Sequence, residues 1–434
     1  MATRLSAAQA DFQDRFIELL GQKRETAQDV DDIVRAIIAD VIARGDVALA
    51  EYTLKFDGLD YNITPMAVSA ADILAACEAC DKQAYKALEF AAGRIRAYHE
   101  KQRPPDSRFT DSAGVELGWR WTPIAAVGLY VPGGTASYPS SVLMNALPAK
   151  VAGVERIVMV VPALKGELDP LVLAAAHLAG VDEIYRVGGA QAVAALAHGT
   201  ASIAPVDKIV GPGNAFVAAA KRQVFGKTGI DMIAGPSEVL ILADGEANPD
   251  WIAADLLAQA EHDTAAQSLL ITSDAGLADR VEASVTAQLQ TLPRKDIASA
   301  SWRDYGAIIV CETLEAALPL VNAIAAEHLE IMSADADALA AKVKNAGAIF
   351  IGAYTPEAIG DYVGGSNHVL PTARSARFAS GLNLLDFMKR TSILKCSPQS
   401  LDILADAAIT LGHAEGLHAH ARSVAIRRNA KGLP

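Results

Sequence analysis

The stretch DLLAQAEHD (255–263) sets Gln259 and His262 three residues apart in an Ala/Leu-rich segment with the pattern of a packed helix. Positions i and i+3 share a helix face, so the amide oxygen and the imidazole can converge on one point. Both atoms can ligate a metal, but glutamine is an uncommon ligand. Alone, the pair reads more simply as a solvated or hydrogen-bonded face. Two other stretches could complete a site: IGDYVGGSNHVLP offers Asp361 and His368 in a Gly-rich loop, and GLHAHARS offers His418 and His420. Oxygen and imidazole donors drawn from separated segments suit zinc or a similar divalent ion.

A second constellation is the dipeptide Glu327–His328 in AIAAEHLEIM. Neighbours on an α-helix diverge by about 100°, so both side chains reach one substrate only if the helix ends there. The strand-like LEIM that follows makes such a junction plausible. A carboxylate beside an imidazole suits general acid and base work, although a surface helix end is the commoner reason for an EH pair.

Glycines cluster in VPGGTASYPSS (131–141), RVGGAQA (186–192), VGPGNAF (210–216) and AGPSEV (234–239). Strand-to-helix turns of this kind need glycine's backbone freedom, and several in one sheet favour a phosphate-bearing ligand at the carboxyl ends of the strands. None fits GxGxxG, since Phe216 stands where that fingerprint needs a small residue.

The elements that must position these groups follow from periodicity. Val30, Ile33, Ile37 and Val41 recur at helical spacing, and residues 1–115 read as a mainly helical N-terminal region able to pack on the next domain. Its polar end, RPPDSRFTDSAG (103–114), reads as a linker or surface excursion. The runs AAVGLYV, RIVMVVP, EIYRVG and DKIVG then alternate with Ala-rich helices over 116–236, and EVLILAD, SLLITSD, AIIVCE, LEIM and AIFIG do so over 237–381. That alternation predicts two Rossmann-like α/β domains with parallel sheets. Residues 382–434 read as a helical tail too small to bury a core, which must pack on the body or on another subunit.

Composition narrows the function classes. A charge of −13, from 51 acidic and 38 basic residues without a long basic run, argues against nucleic acid or an anionic membrane as partner. No uncharged apolar run reaches the roughly 18 residues of a membrane span, and the N-terminus lacks a signal peptide's apolar core, so a cytoplasmic location is expected. Four cysteines suit a reducing compartment. Cys77 and Cys80 form a CxxC, but inside a helical pattern and without a second CxxC, so a packed pair is expected rather than a metal or redox centre.

In order and spacing, VGLYVPGGTASYPSSVLMNALPAKVAGV, GGAQAVAA, VDKIVGPGNAF, IDMIAGPSEVLILAD, DLLAQAEHD, EHLE, GDYVGGSNHVLPT and EGLHAHARSV together resemble the histidinol dehydrogenases over nearly the whole chain. The resemblance implies one zinc per subunit, held by Gln259, His262, Asp361 and His420. It implies a catalytic pair, Glu327 and His328, and substrate contacts from Ser237, His368 and Glu415 along with that pair and the metal ligands. It implies NAD contacts from Tyr130, Gln191 and Asn214 in the 116–236 domain, with zinc and substrate on the 237–381 domain. The tail would reach into the partner's active site in a homodimer, carrying Glu415 and His420. The implied reaction is oxidation of L-histidinol to L-histidine in two hydride transfers to NAD through the aldehyde, the last step of histidine biosynthesis. Two alternatives fit the same residues: a dehydrogenase on the same scaffold acting on another small alcohol, and a zinc hydrolase in which Glu327 activates water.

Overall fold

The computed structural model describes residues 2–22, 29–133, 138–233 and 235–428. Part of the glycine motif at 131–141 and Ala234 of the AGPSEV motif fall outside them.

Two parallel sheets form the body. The first has five strands in the order Glu183–Tyr185, Arg156–Val160, Ala126–Tyr130, Lys208–Val210, Gly229–Ile230. The second has six, in the order Thr3–Ser6, Ala307–Val310, Gln267–Thr272, Glu238–Ala243, His328–Met332, Ala348–Ile351. Three central strands, at 238–243, 267–272 and 328–332, are buried at every residue, because helices cover both faces. That is why their sequences run apolar without alternation.

The N-terminal helices Asp29–Arg44, Ala70–Ala79 and Lys82–Glu100 pack on the helices of the first sheet. Thr3–Ser6, however, crosses to the other sheet and pairs in parallel with Ala307–Val310. This strand is absent from the pattern because only Leu5 of its four residues is buried.

Two further expectations are corrected. The supposed excursion at 103–114 contains the strand Ser107–Thr110, which pairs antiparallel with Glu116–Pro123. The tail is not wholly helical: Met388–Lys395 is a strand on the other edge of Glu116–Pro123. This ribbon is largely solvated, so neither strand carries the apolar period that marks a strand in sequence. Helices Pro398–Ala414 and His418–Arg428 complete the tail and pack chiefly on each other.

The glycine motifs do not all lie at carboxyl ends of strands. Those after residues 130, 185 and 210 do, at the end of the first sheet, but GPSEV leads into the amino end of Glu238–Ala243 in the second. Ser141, in the helix Pro139–Ala152 that follows the first sheet's central strand, reaches His368 at 3.4 Å, tying the carboxyl end of one sheet to the residues gathered at the amino end of the other.

Candidate active site

Glu327 and His328 stand where a helix becomes a strand. Helix Leu314–Ile324 ends at Ala325, whose φ of 49° lies in the left-handed region that residues with a Cβ seldom occupy. His328 then opens its strand, held by pairing with Val239 on one side and Ala348 on the other. Gly347 permits this approach, because a Cβ there would sit 2.5 Å from the Glu327 carbonyl oxygen. Both side chains are therefore buried, at 5% and 4% exposure, and not on a surface helix end.

Their hydrogen bonds define what each can do. The Glu238 N–H donates to Glu327 Oε2 at 3.0 Å, and His328 Nδ1 lies 3.0 Å from the Glu238 carbonyl oxygen. A carbonyl only accepts, so Nδ1 carries the hydrogen and the neutral ring keeps its lone pair on Nε2. That Nε2 is buried without a hydrogen-bond partner, 3.7 Å from Asp361 Oδ1. Asp361 comes from helix Glu357–Tyr362, which packs against helix Pro249–Ala260, bearer of Gln259. His368 Nδ1 donates to the Asp361 carbonyl oxygen at 3.0 Å.

Burial pushes the Glu327 carboxyl up to about 7, close to the pH at which a general base works best. Burial opposes charge on His328, but the carboxylates of Glu327, Glu357 and Asp361 outweigh it and hold the imidazole well above the ordinary histidine range. Burial alone would raise Asp361; the neighbouring His328 brings it below the usual carboxylate range instead. His262 and His368 are lowered by burial, against the pull of Asp361.

Three carboxyl groups that the sequence did not single out complete the cluster. Glu357 Oε2 lies 3.7 Å from His328 Nδ1, and the Glu357 N–H donates to Glu330 Oε1 at 2.6 Å. Burial raises Glu357 to about 8 and Asp255 to about 6, and raises Glu330 well above its ordinary value. Glu330 had a signal: an acidic residue between Leu329 and Ile331, in the apolar run that follows His328, occupies a core position.

His262, Glu327, His328, Asp361 and His368 thus lie close enough to interact, Gln259 is buried on the helix that packs against the one bearing Asp361, and Ser237 precedes Glu238 in the chain. Glu415 and His420 are exposed on the tail, and no side-chain hydrogen bond or ion pair joins them to this cluster among the described residues. Among those residues, too, no three His, Cys, Asp or Glu side chains gather as a metal-binding group. Of the expected ligand set, one chain's cluster contains only His262 and Asp361 of those types. The donors nevertheless fit a divalent ion: Gln259 is 1% exposed and its amide Nε2 has no partner, leaving the amide end uncommitted. Amide oxygen, imidazole and carboxylate together suit zinc.

The residues expected to meet NAD lie at the carboxyl end of the first sheet. Tyr130 is buried and its Oη accepts the Gly189 N–H at 3.0 Å; burial raises the phenol to about 12. Gln191 is buried in the helix that begins at Gly189. Asn214 caps helix Ala215–Val224, its Oδ1 accepting from the N–H groups of Phe216 and Val217.

The family model described as histidinol dehydrogenase matches residues 20–428. The chain is 68% identical over 429 residues to a protein of Bradyrhizobium diazoefficiens named histidinol dehydrogenase, covering 99% of this chain and 100% of that one. A protein of the same name from Rhodopseudomonas palustris is 66% identical over 431 residues, again with 99% and 100% coverage. The crystal structure of histidinol dehydrogenase from Elizabethkingia anophelis superposes with a TM-score of 0.95 at 34% identity, covering 100% of this chain and 99% of that one. Identity sustained from end to end, on the same fold, places this chain in the histidinol dehydrogenase family.

Proposed function

We propose that the protein oxidises L-histidinol to L-histidine with NAD as hydride acceptor and one zinc per subunit, in a homodimer whose tails complete the partner's active sites. The observation that carries this reading is the gathering of a buried Glu–His pair with Asp361 and His262, in a chain matched along its length by histidinol dehydrogenases. Oxidising a primary alcohol to a carboxylate removes two hydrides and adds one water oxygen: one histidinol, two NAD+ and one water give one histidine carboxylate, two NADH and three protons.

Zinc, held by Gln259, His262 and Asp361 with His420 of the other subunit, would supply a fixed charge that orients the substrate's nitrogens and offsets Asp361, while NAD supplies the hydride acceptor. With zinc offsetting the Asp361 charge that favours the imidazolium, the His328 ring would be neutral with its hydrogen on Nδ1 toward the Glu238 carbonyl, and Nε2 takes the hydroxyl proton. Glu327, poised near neutrality, takes a proton from the water that adds to the aldehyde carbon. His328, once it has released the first proton to solvent, removes a hydroxyl proton from the resulting hydrate as the second hydride departs. Ser237, His368 and Glu415 orient the substrate; for His368 the reach is set by its bond to Asp361. Tyr130, Gln191 and Asn214 place the nicotinamide cofactor at the first sheet's carboxyl end.

The tail supports the shared site. Ile403, Leu411 and Ile426 on its two helices are 64%, 62% and 58% exposed in the single chain, an apolar surface that a second subunit would cover. Among the described residues no helix is long and apolar enough to cross a membrane.

The test is purified protein with NAD and histidinol, counting NADH and histidine, alongside metal analysis. Two NADH per histidine and about one zinc per chain are expected. Reduction of NAD by another alcohol but not by histidinol, or hydrolysis without cofactor, would refute the reading.

A further inference from the structure

Helix Lys82–Glu100 contributes nothing to the proposed substrate, metal or cofactor contacts, yet it grips the Asp361–His368 segment at two places. Arg94 donates through Nε to the Val363 carbonyl oxygen at 2.5 Å and through Nη2 to that of Gly364 at 2.9 Å. The loop lies flat on the helix there: Gly365 has φ of 103°, and a Cβ on it would stand 3.2 Å from the Arg94 carbonyl oxygen.

The second grip is a buried network. His99 is 0% exposed, and its Nδ1 lies 2.8 Å from Gln102 Oε1, which also accepts the Leu384 N–H at 3.1 Å. An amide oxygen only accepts, so Nδ1 carries the hydrogen and Nε2 is the acceptor. Nε2 faces Asn367 Nδ2 at 3.5 Å, and that amide also donates to the Met144 carbonyl oxygen at 2.6 Å. Asn367 Oδ1 accepts the Val369 N–H at 2.9 Å. Every polar atom of the Asn367 side chain is thus committed, and the residue next to it is His368, which is bonded in turn to the Asp361 carbonyl. Burial lowers the His99 pKa, in keeping with a neutral ring.

We propose that Arg94 and His99 are positioning residues for the reaction: from a helix outside the site they set the segment that carries Asp361 and His368, and so the placement of the substrate relative to His328. This rests on assigning Asp361 and His368 to the metal and substrate. Arg94 gives the cleaner test, because its side chain is exposed and its removal leaves the core intact. A displacement of reacting groups by about 1 Å can cost about a hundredfold.

The experiment compares Arg94→Ala, Arg94→Lys and His99→Gln in the full-length enzyme. For Arg94→Ala and His99→Gln the KM for histidinol should rise about 10- to 100-fold and zinc should be lost to a chelator at lower concentration, while the KM for NAD stays within about twofold. Arg94→Lys should recover part of the effect. Imidazole proton–nitrogen correlation spectra give a readout independent of turnover: wild-type His99 should show the neutral Nδ1–H tautomer, and the His368 signals should move in Arg94→Ala. A folded Arg94→Ala protein with unchanged histidinol KM overturns the proposal, as does an equal rise in both KM values. If wild type fails to oxidise histidinol, it is the functional reading that falls; the His368 signals still decide, shifted supporting the positioning role and unmoved refuting it.

Discussion

Glu327→Gln should separate the two halves of the reaction. The glutamine oxygen can still accept the Glu238 N–H that Glu327 Oε2 accepts at 3.0 Å, so the strand entry is preserved and only proton affinity is removed. If Glu327 activates water, only the second oxidation needs it. General-base contributions of about 10²- to 10⁴-fold correspond to roughly 3–5 kcal/mol of barrier. Wild type should show the same dependence through pH: with burial holding Glu327 at about 7, the carboxylate is about half formed at pH 7 and about 1% formed at pH 5. The second oxidation therefore slows about fiftyfold over that interval. The assay is a single turnover of histidinol with excess NAD, followed by NADH absorbance. Wild type should give two equivalents; the variant should give one at nearly normal rate and a second slowed by two to four orders of magnitude. Equal slowing of both phases, or an acid limb near pH 7 that persists in the variant's second phase, would refute the assignment.

Other parts of the structure yield further expectations. Lys221 and Asp231 form a buried ion pair that holds Gly211 from both sides, Lys221 Nζ on its carbonyl at 2.9 Å and Asp231 Oδ2 on its N–H at 2.8 Å. Lys221→Met strands the Asp231 charge and should cost about 3–5 kcal/mol by denaturant unfolding, most of it regained on adding Asp231→Leu; a loss below about 1 kcal/mol would contradict the pairing. Asp255 has a folded pKa of about 6, above its ordinary 3.8, so its contribution is full below 3.8 and lost as pH rises through about 6. Asp255→Asn should therefore raise the melting temperature at pH 8 and not at pH 3.5; a pH-independent difference would disprove the ionisation penalty. Mixed dimers of His328→Ala and His420→Ala subunits, each inactive alone, should regain activity, and verified heterodimers with none would exclude a site shared through the tail.

Much of the architecture is local information. Helix and strand alternation, the three-residue spacing of Gln259 and His262, and the switch from AIAAEH to LEIM follow from side-chain periodicity within a single segment. The solvated strands at 107–110 and 388–395 escaped that reading because they bury too little to leave a period. Nor could spacing announce that Asp255, Glu330 and Glu357, far apart in sequence, would crowd around the Glu327–His328 pair. Their raised pKa values exist only because packing removes water from all of them at once. The same holds for the opposition of the two sheets, which Ser141 and His368 tie together across 227 positions of sequence. Residue types named the chemistry available to this chain; long-range strand order and desolvation selected which side chains meet and in what charge state, since both depend on contacts no local pattern encodes.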